Sequence, residues 1–251
     1  MLLKAGINSV EFWVETPDFW MNRDDETSIV ILEEALSMMY EGCTLHAPVL
    51  DLNPASINDN IHNISIKETL WCLEIAKVLN ARTITIHPGR RSVHRPPVKE
   101  DWEKFLRYLR ICKNKADELD LKLALENSMP SVSSMCSSMN EIKEVLNQFP
   151  GLFFTFDIAH ACMQSQEHAL AFIEELGDRM INVHVASPDN GKHSPTHHNK
   201  NNKVLLALKD SGYDRDITIE IDDKVYPIPL SREDKIKELR DERDYIEKIF
   251  G

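Results

Sequence analysis

LFFTFDIAH, residues 152–160, runs through apolar and β-prone residues to Asp157 and sets His160 three places beyond it. Pro150-Gly151 punctuate the chain just before it. A short apolar run bounded by turn residues reads as a strand buried on both faces, as in a parallel sheet. Asp157 sits at the C-terminal end of that strand, and the D-x-x-H spacing lets His160 turn toward the same end. The pattern repeats in both directions. TLHAPV (44–49) carries His46, TITIHPG (83–89) His87, LKLALEN (121–127) Glu126, INVHVAS (181–187) His184 and ITIEI (217–221) Glu220. These acid or imidazole side chains recur every 27 to 41 residues. All sit at the C-terminal end of their run except Glu220, one residue short of it. In a (β/α) barrel such ends open onto one face, where the chemistry of the fold is built.

Helical periodicity fills the intervals. Strands are predicted at Ser9–Val14, Thr44–Pro48, Thr83–His87, Leu121–Glu126, Leu152–Asp157, Ile181–Val185 and Ile217–Ile221. Helices are predicted at Asp25–Glu41, Ser65–Asn80, Trp102–Leu119, Ser138–Gln148, Glu167–Leu176, Val204–Ser211 and Ser231–Phe250. Strict alternation with short connections argues a parallel sheet covered by helices. The expected fold is α/β, a TIM-type (β/α) barrel, with residues 1–251 as a single domain. Only seven strands can be read. Leu2–Ala5 followed by Gly6 looks like a helix end leading into a strand, so the first strand of a barrel is missing from the reading. Either the start lies upstream or the barrel has a gap, and a gap exposes two strand edges that a partner in a homodimer would cover.

The chain has 251 residues, close to the ~250 typical of this barrel, and 42% are hydrophobic. Its formal charge is −12 and its pI about 5.3. That balance disfavours a nucleic-acid partner, whose binding rests on Lys and Arg contacts to phosphate. Cys43, Cys72, Cys112, Cys136 and Cys162 include no CxxC pair; they read as reduced thiols of a cytoplasmic protein. No apolar stretch approaches a membrane span or a signal peptide.

Two loops belong at the expected mouth. PGRRSVHRPPVK (88–99) offers Arg90 and Arg91 to a substrate phosphate, with a solvated basic loop as the plainer reading. SPDNGKHSPTHHNKNNK (187–203) reads as a polar loop, with His193 and His198 as solvated residues. Trp13, with Phe12 and Trp20, reads either as the wall of a sugar pocket or as packing. His62 and His168 read as surface residues, and the charge run 231–248 as a solvated helix face. Imidazole and carboxylate together suit Zn, Mn or Co, and carboxylate-rich subsets suit Mg or Mn.

LHAPVLDLN, TITIHPG, LALEN, FTFDIAHA, INVHVAS and ALKDSGYDRDITIEI together resemble the xylose isomerase-like barrels, the superfamily of endonuclease IV and the sugar isomerases and epimerases. The resemblance runs from Leu2 onward, and the missing first strand departs from it. It implies one of two designs. In the isomerase and epimerase branch one divalent metal is held at positions matching Glu126, Asp157, His184 and Glu220. The glutamates Glu126 and Glu220 are then also catalytic, moving protons on opposite faces of an enediolate of a sugar or sugar phosphate. In the endonuclease IV branch, His46, His87, His160 and His197 match extra ligands, up to three zinc ions are held, and a phosphodiester or apurinic site is cut. There the chain departs from the pattern. Pro195 stands where an aspartate belongs, and 199–203 replaces a glycine-rich turn; His198 or His193 could substitute as ligand, but one zinc would lack its carboxylate. Acidic charge and the intact four-residue set favour the isomerase; a degenerate, non-catalytic barrel is the third reading.

Overall fold

A computed structural model describes residues 1–39, 41–198 and 202–251. Strands β1 (Val10–Trp13), β2 (Cys43–His46), β3 (Thr83–Ile86), β4 (Lys122–Glu126), β5 (Phe153–Asp157), β6 (Met180–Val185) and, after an excursion, β9 (Asp216–Ile219) form one parallel sheet in chain order. The excursion is a hairpin, β7 (Ser187–Asp189) with β8 (Lys192–Ser194). The outer helices are α3 (Glu26–Ser37), α4 (Asp59–Val78), α5 (Lys99–Glu118), α6 (Met139–Gln148), α8 (Gln166–Leu176), α9 (Lys203–Asp210) and α10 (Arg232–Phe250). Short turns α1 (Leu2–Ala5), α2 (Pro17–Trp20) and α7 (Ile158–Cys162) punctuate the loops. Seven parallel strands nearly closed into a barrel with surrounding helices make this a TIM-type α/β fold.

Helix starts follow their caps. Asn58 accepts from Asn60 N–H, so α4 begins six residues ahead of its apolar periodicity. Ser138 and Glu141 form a reciprocal capping box on α6. α3 stops at Ser37, short of the predicted Glu41. The strand interiors carry Leu45, Ile84, Ile86, Leu123, Leu125, Phe154, Phe156 and Val183, all fully buried. Phe172 of α8 stacks on Phe154 and Phe156 at 5.6 and 5.4 Å.

β1 and β9 are the free edges of the sheet among the described residues. The interval between them is a cavity of about 540 Å³, with Leu2, Arg243, Ile246 and Phe250 from α1 and α10 on its outer side. Side chains tie the two edges together. Arg82 donates to Ser9 Oγ (3.2 Å) and to Asp216 Oδ1 (2.8 Å). Inside the barrel, Thr218 Oγ1 donates to Asn182 Oδ1 (2.9 Å) and Asn182 Nδ2 donates to Glu11 of β1.

α10 carries the charge run 231–248, and one member of it, Glu242, is fully buried. Its carboxylate accepts from Thr196 N (2.9 Å), Thr196 Oγ1 (2.5 Å), His197 N (3.0 Å) and His197 Nδ1 (2.7 Å). Glu242→Ala leaves those donors buried without an acceptor. It is expected to lower stability by about 3 kcal/mol, read from urea unfolding; a loss below about 0.5 kcal/mol, the scale of an ordinary surface change, would contradict this. Phe12 packs edge-on against Phe19 (5.4 Å) and Trp20 against Trp71 (5.9 Å), so both are packing residues. His62 is buried, with Nδ1 donating to Pro54 O (2.8 Å), which corrects its reading as surface. His168 is half-buried, its Nε2 3.1 Å from Ser137 O. The cysteines are free thiols, four of them buried, and burial raises the pKa of Cys43, Cys72, Cys112 and Cys136. No helix among the described residues is long and apolar enough to cross a membrane.

Candidate active site

Parallel register brings the strand ends level. Trp13 pairs with His46, and Asp157 with His184. Glu126 is the hub, 1% exposed. Its Oε2 lies 2.8 Å from His87 Nε2 and 3.4 Å from His46 Nε2, and its Oε1 3.5 Å from His184 Nδ1 and 3.4 Å from His160 Nδ1. His184 Nδ1 is also 2.9 Å from Glu220 Oε2, the most solvent-exposed carboxylate here. β9 ends at Ile219, so Glu220 projects from just past the strand.

Asp157 does two jobs with two oxygens. Oδ1 accepts from His160 N (2.6 Å), capping α7 and turning His160 back to the mouth. Oδ2 lies 3.1 Å from His193 Nε2. Asn127, fully buried, clamps the Asp157 backbone, accepting at Oδ1 from Asp157 N (2.8 Å) and donating from Nδ2 to Asp157 O (3.0 Å). Its own carbonyl accepts from His160 Nδ1 (2.8 Å). Glu15, buried 34 residues before the segment it holds, accepts from Val49 N (2.7 Å), Leu50 N (3.0 Å) and Trp13 Nε1 (3.1 Å), fixing the loop after β2.

Three overlapping sets of ligand-capable atoms result, each within 4.8 Å: Glu126, Asp157, His184 and Glu220; His46, His87 and Glu126; Asp157, His160 and His193. Their chemistry suits a divalent cation. Among the described residues, Glu126 Oε2 and His184 Nδ1 are buried without a hydrogen-bond partner, although each has an opposite group at 2.8–2.9 Å. Close approach without hydrogen-bond alignment fits groups directed at a common point rather than at each other. The other ring nitrogens are anchored. A carbonyl can only accept, so His46 Nδ1–H donates to Ala47 O (2.9 Å) and His160 Nδ1–H to Asn127 O, which turns Nε2 of each ring to the mouth, that of His46 lying 3.0 Å from His87 Nε2.

The electrostatics are those of a charged cluster. Burial disfavours the ionised Glu126, but the imidazoles of His87 and His184 outweigh it and hold the carboxyl well below its usual range. Burial likewise opposes charge on Glu220, yet His184 brings it down to about 2. Burial opposes protonation of His193, and the Asp157 carboxylate overrides this and lifts it to about 9.

His197 stands apart from the other expected ligands. It groups with His198 and Glu238, bonded to Glu242, and belongs to none of the three sets at the mouth. His193, read as solvated, is 7% exposed and stands on Asp157 instead. The tight turn of Asn190 and Gly191, both at positive φ, folds 187–194 back and delivers it there. His198 is exposed and 3.3 Å from Glu238. Of the stretch 199–203, residues 199–201 lie outside the described residues. Arg90 lines a cavity of about 460 Å³ over the mouth, with Asn53, His87, Tyr108, Ser128 and His160. Asn53 holds the Arg90 backbone from both sides, donating to its O (2.8 Å) and accepting from its N (3.0 Å). Gly89 makes that approach, since a Cβ there would lie 2.3 Å from Ala55 Cβ. Arg91 turns away, donating to Pro96 O (2.7 Å) with Asp101 at 3.9 Å. Trp13 is 37% exposed at the level of His46.

The family model for the xylose isomerase-like TIM barrel matches residues 1–249. The chain belongs to that family. Among its relatives is an uncharacterized protein of Methanocaldococcus jannaschii, 32% identical over 98% of this chain and 90% of its own length. A second uncharacterized protein of that organism is 28% identical over 70% of this chain and 63% of its own. Solved structures of similar fold include a D-tagatose 3-epimerase-like protein, with 24% identity, a TM-score of 0.75 and coverage of 98% of this chain and 91% of that one. An L-ribulose 3-epimerase superposes with a TM-score of 0.78 at 15% identity, over 99% and 86% of the two chains. A D-psicose 3-epimerase of Clostridium cellulolyticum, solved with D-tagatose, gives 0.77 at 16% over 99% and 91%. This xylose isomerase-like barrel therefore shares its scaffold with sugar epimerases across almost its whole length.

Proposed function

We propose that this xylose isomerase-like barrel is a metal-dependent isomerase or epimerase of a sugar or sugar phosphate. The observation that carries the reading is the set Glu126, Asp157, His184 and Glu220, whose ligand atoms lie within 4.8 Å of one another at the strand ends. The sugar epimerases among its structural neighbours support the substrate class.

Those four residues would hold one divalent ion, Zn, Mn, Co or Mg. When bound, the ion supplies Lewis acidity that polarises the carbonyl and hydroxyl oxygens of the substrate and makes the hydrogen on the adjacent carbon removable. The chain does the rest. Glu126 and Glu220, both held ionised, reach the substrate carbon from different strands, one taking the proton and the other delivering one on the opposite face. Arg90, Asn53 and His87 around the upper cavity orient the sugar, Arg90 pairing with a phosphate where one is present. Incubation with a panel of ketoses and ketose phosphates in deuterated water is the test. Deuterium at the carbon next to the carbonyl is the expected result, and its absence across the panel would sink the reading.

A second reading, a zinc phosphodiesterase of the endonuclease IV type, is favoured by one specific observation: the flanking sets His46–His87–Glu126 and Asp157–His160–His193 share Glu126 and Asp157 with the first. His193 supplies an imidazole where His197 was expected. Chelator-sensitive nicking of abasic duplex DNA would move the assignment to this reading.

A further inference from the structure

His184 differs from His46 and His160 in what anchors it. His46 and His160 are each fixed by a backbone carbonyl. His184 is fixed by a side chain, Glu11 of β1, whose Oε1 lies 3.1 Å from His184 Nε2. Glu11 has a side chain 5% exposed, and His184 one 2% exposed. The other oxygen of Glu11 accepts from Asn182 Nδ2 (2.5 Å) and Thr44 Oγ1 (3.2 Å). The carboxylate is thus held from β2 beside it and from β6, the strand that pairs with β9 at the other edge. An ionised carboxylate only accepts, so the nitrogen facing it must carry hydrogen. Burial opposes the charge on Glu11, but His184 beside it wins and keeps the carboxyl below its ordinary value.

We propose that Glu11 is a positioning residue that locks His184 in the Nε2–H form and so directs the Nδ1 lone pair toward Glu126, Asp157 and Glu220. This rests on the metal reading above. Nδ1 is the nitrogen left without a hydrogen-bond partner among the described residues, 2.9 Å from Glu220 Oε2 and 3.5 Å from Glu126 Oε1. Remove Glu11 and Nε2 keeps, among the described residues, Asn182 Nδ2 at 3.2 Å. That group is a donor, so it favours the opposite tautomer with hydrogen on Nδ1. The expected fault is therefore a wrongly protonated ligand as well as a loosened one.

The experiment is zinc binding by the full chain, with chelator competition, for wild type, Glu11→Ala and Glu11→Gln. Alanine is expected to weaken zinc binding by about 10- to 100-fold, the range for lost partners of metal-bound histidine. Glutamine keeps an acceptor oxygen without the charge and falls at about tenfold, the lower end of that range. It also carries the test if the alanine variant fails to fold. Nitrogen-15 shifts of His184 give the readout that a packing role would not move: Nε2 protonated and Nδ1 zinc-bound in wild type, with Nε2–H lost in Glu11→Ala. Unchanged zinc affinity and unchanged His184 shifts in the variants overturn this inference alone. A wild type that binds no zinc, manganese or cobalt overturns the metal reading and this inference with it.

Discussion

Glu126→Gln and Glu220→Gln are each expected to lower epimerisation by about 10²- to 10⁴-fold, the usual contribution of a positioned acid or base. The substitution keeps an oxygen of similar placement, so it tests proton transfer more sharply than alanine would. The two variants should fail differently. Glu126 ends β4 and Glu220 stands just past β9, and the proposed mechanism gives each glutamate its own face of the substrate. Each surviving glutamate can still exchange the hydrogen on its own face. Glu220→Gln should therefore wash deuterium from solvent into one epimer and not the other, with the preference reversed in Glu126→Gln. Both residues also belong to the set that would hold the ion, so bound metal is measured alongside. Loss of exchange at full metal content assigns proton transfer to the missing carboxylate. Equal residual exchange into both epimers by either variant would show that the glutamates do not divide the faces between them.

What was legible in the sequence follows from burial. Strands covered on both faces must be continuous apolar runs, so their ends are legible as the first acid or imidazole, His46, His87, Glu126, Asp157, His184 and Glu220; the narrower set Glu126, Asp157, His184 and Glu220 comes from the family resemblance. The free edges at β1 and β9 were also legible, as a strand count of seven. Glu11 was not, because one acid inside SVEFWV looks like the solvent side of an alternating strand; only the barrel reveals that this side faces inward to His184. The placement of His193 has a signal in the sequence. Asn190-Gly191 between short polar segments is a hairpin turn, and its two-residue loop sends the chain straight back to Asp157. His197 was matched through similarity of a stretch in which Pro195 already broke the pattern, and the buried Glu242 claims it instead. Glu242 itself lies i−4 and i−7 from the buried Ile246 and Ile249, a helical stripe hidden by the density of charge around it.

Zinc affinity is expected to climb steeply with pH, and the slope separates the two functional readings. Burial disfavours a charged His184, but Glu11, Glu126 and Glu220 outweigh it, so the metal-free ring stays protonated well above its ordinary value. An ion can take Nδ1 only by expelling that proton. One proton released means about tenfold in affinity per pH unit. His193 is lifted to about 9; if it also coordinates, a second proton leaves and the slope approaches two decades per unit below that pH. The metal-free fold runs the other way. A histidine with a raised folded pKa stabilises fully below its unfolded value, about 6.5, and that share is lost as pH rises through the folded value. The depressed carboxylates of Glu11, Glu126 and Glu220 stabilise above about 4.5 and lose their share as pH falls. The metal-free protein is thus most stable between those limits, and the gain in Tm on adding zinc widens above them. Titrations against a chelator at a series of pH values read the slope directly. A slope near one supports a single ion and the isomerase; a slope near two brings His193 into the ligand set and favours phosphoester chemistry. A flat line would mean that the imidazoles at the mouth are neutral without metal, and that the carboxylates around His184 do not hold a proton in the place an ion would take.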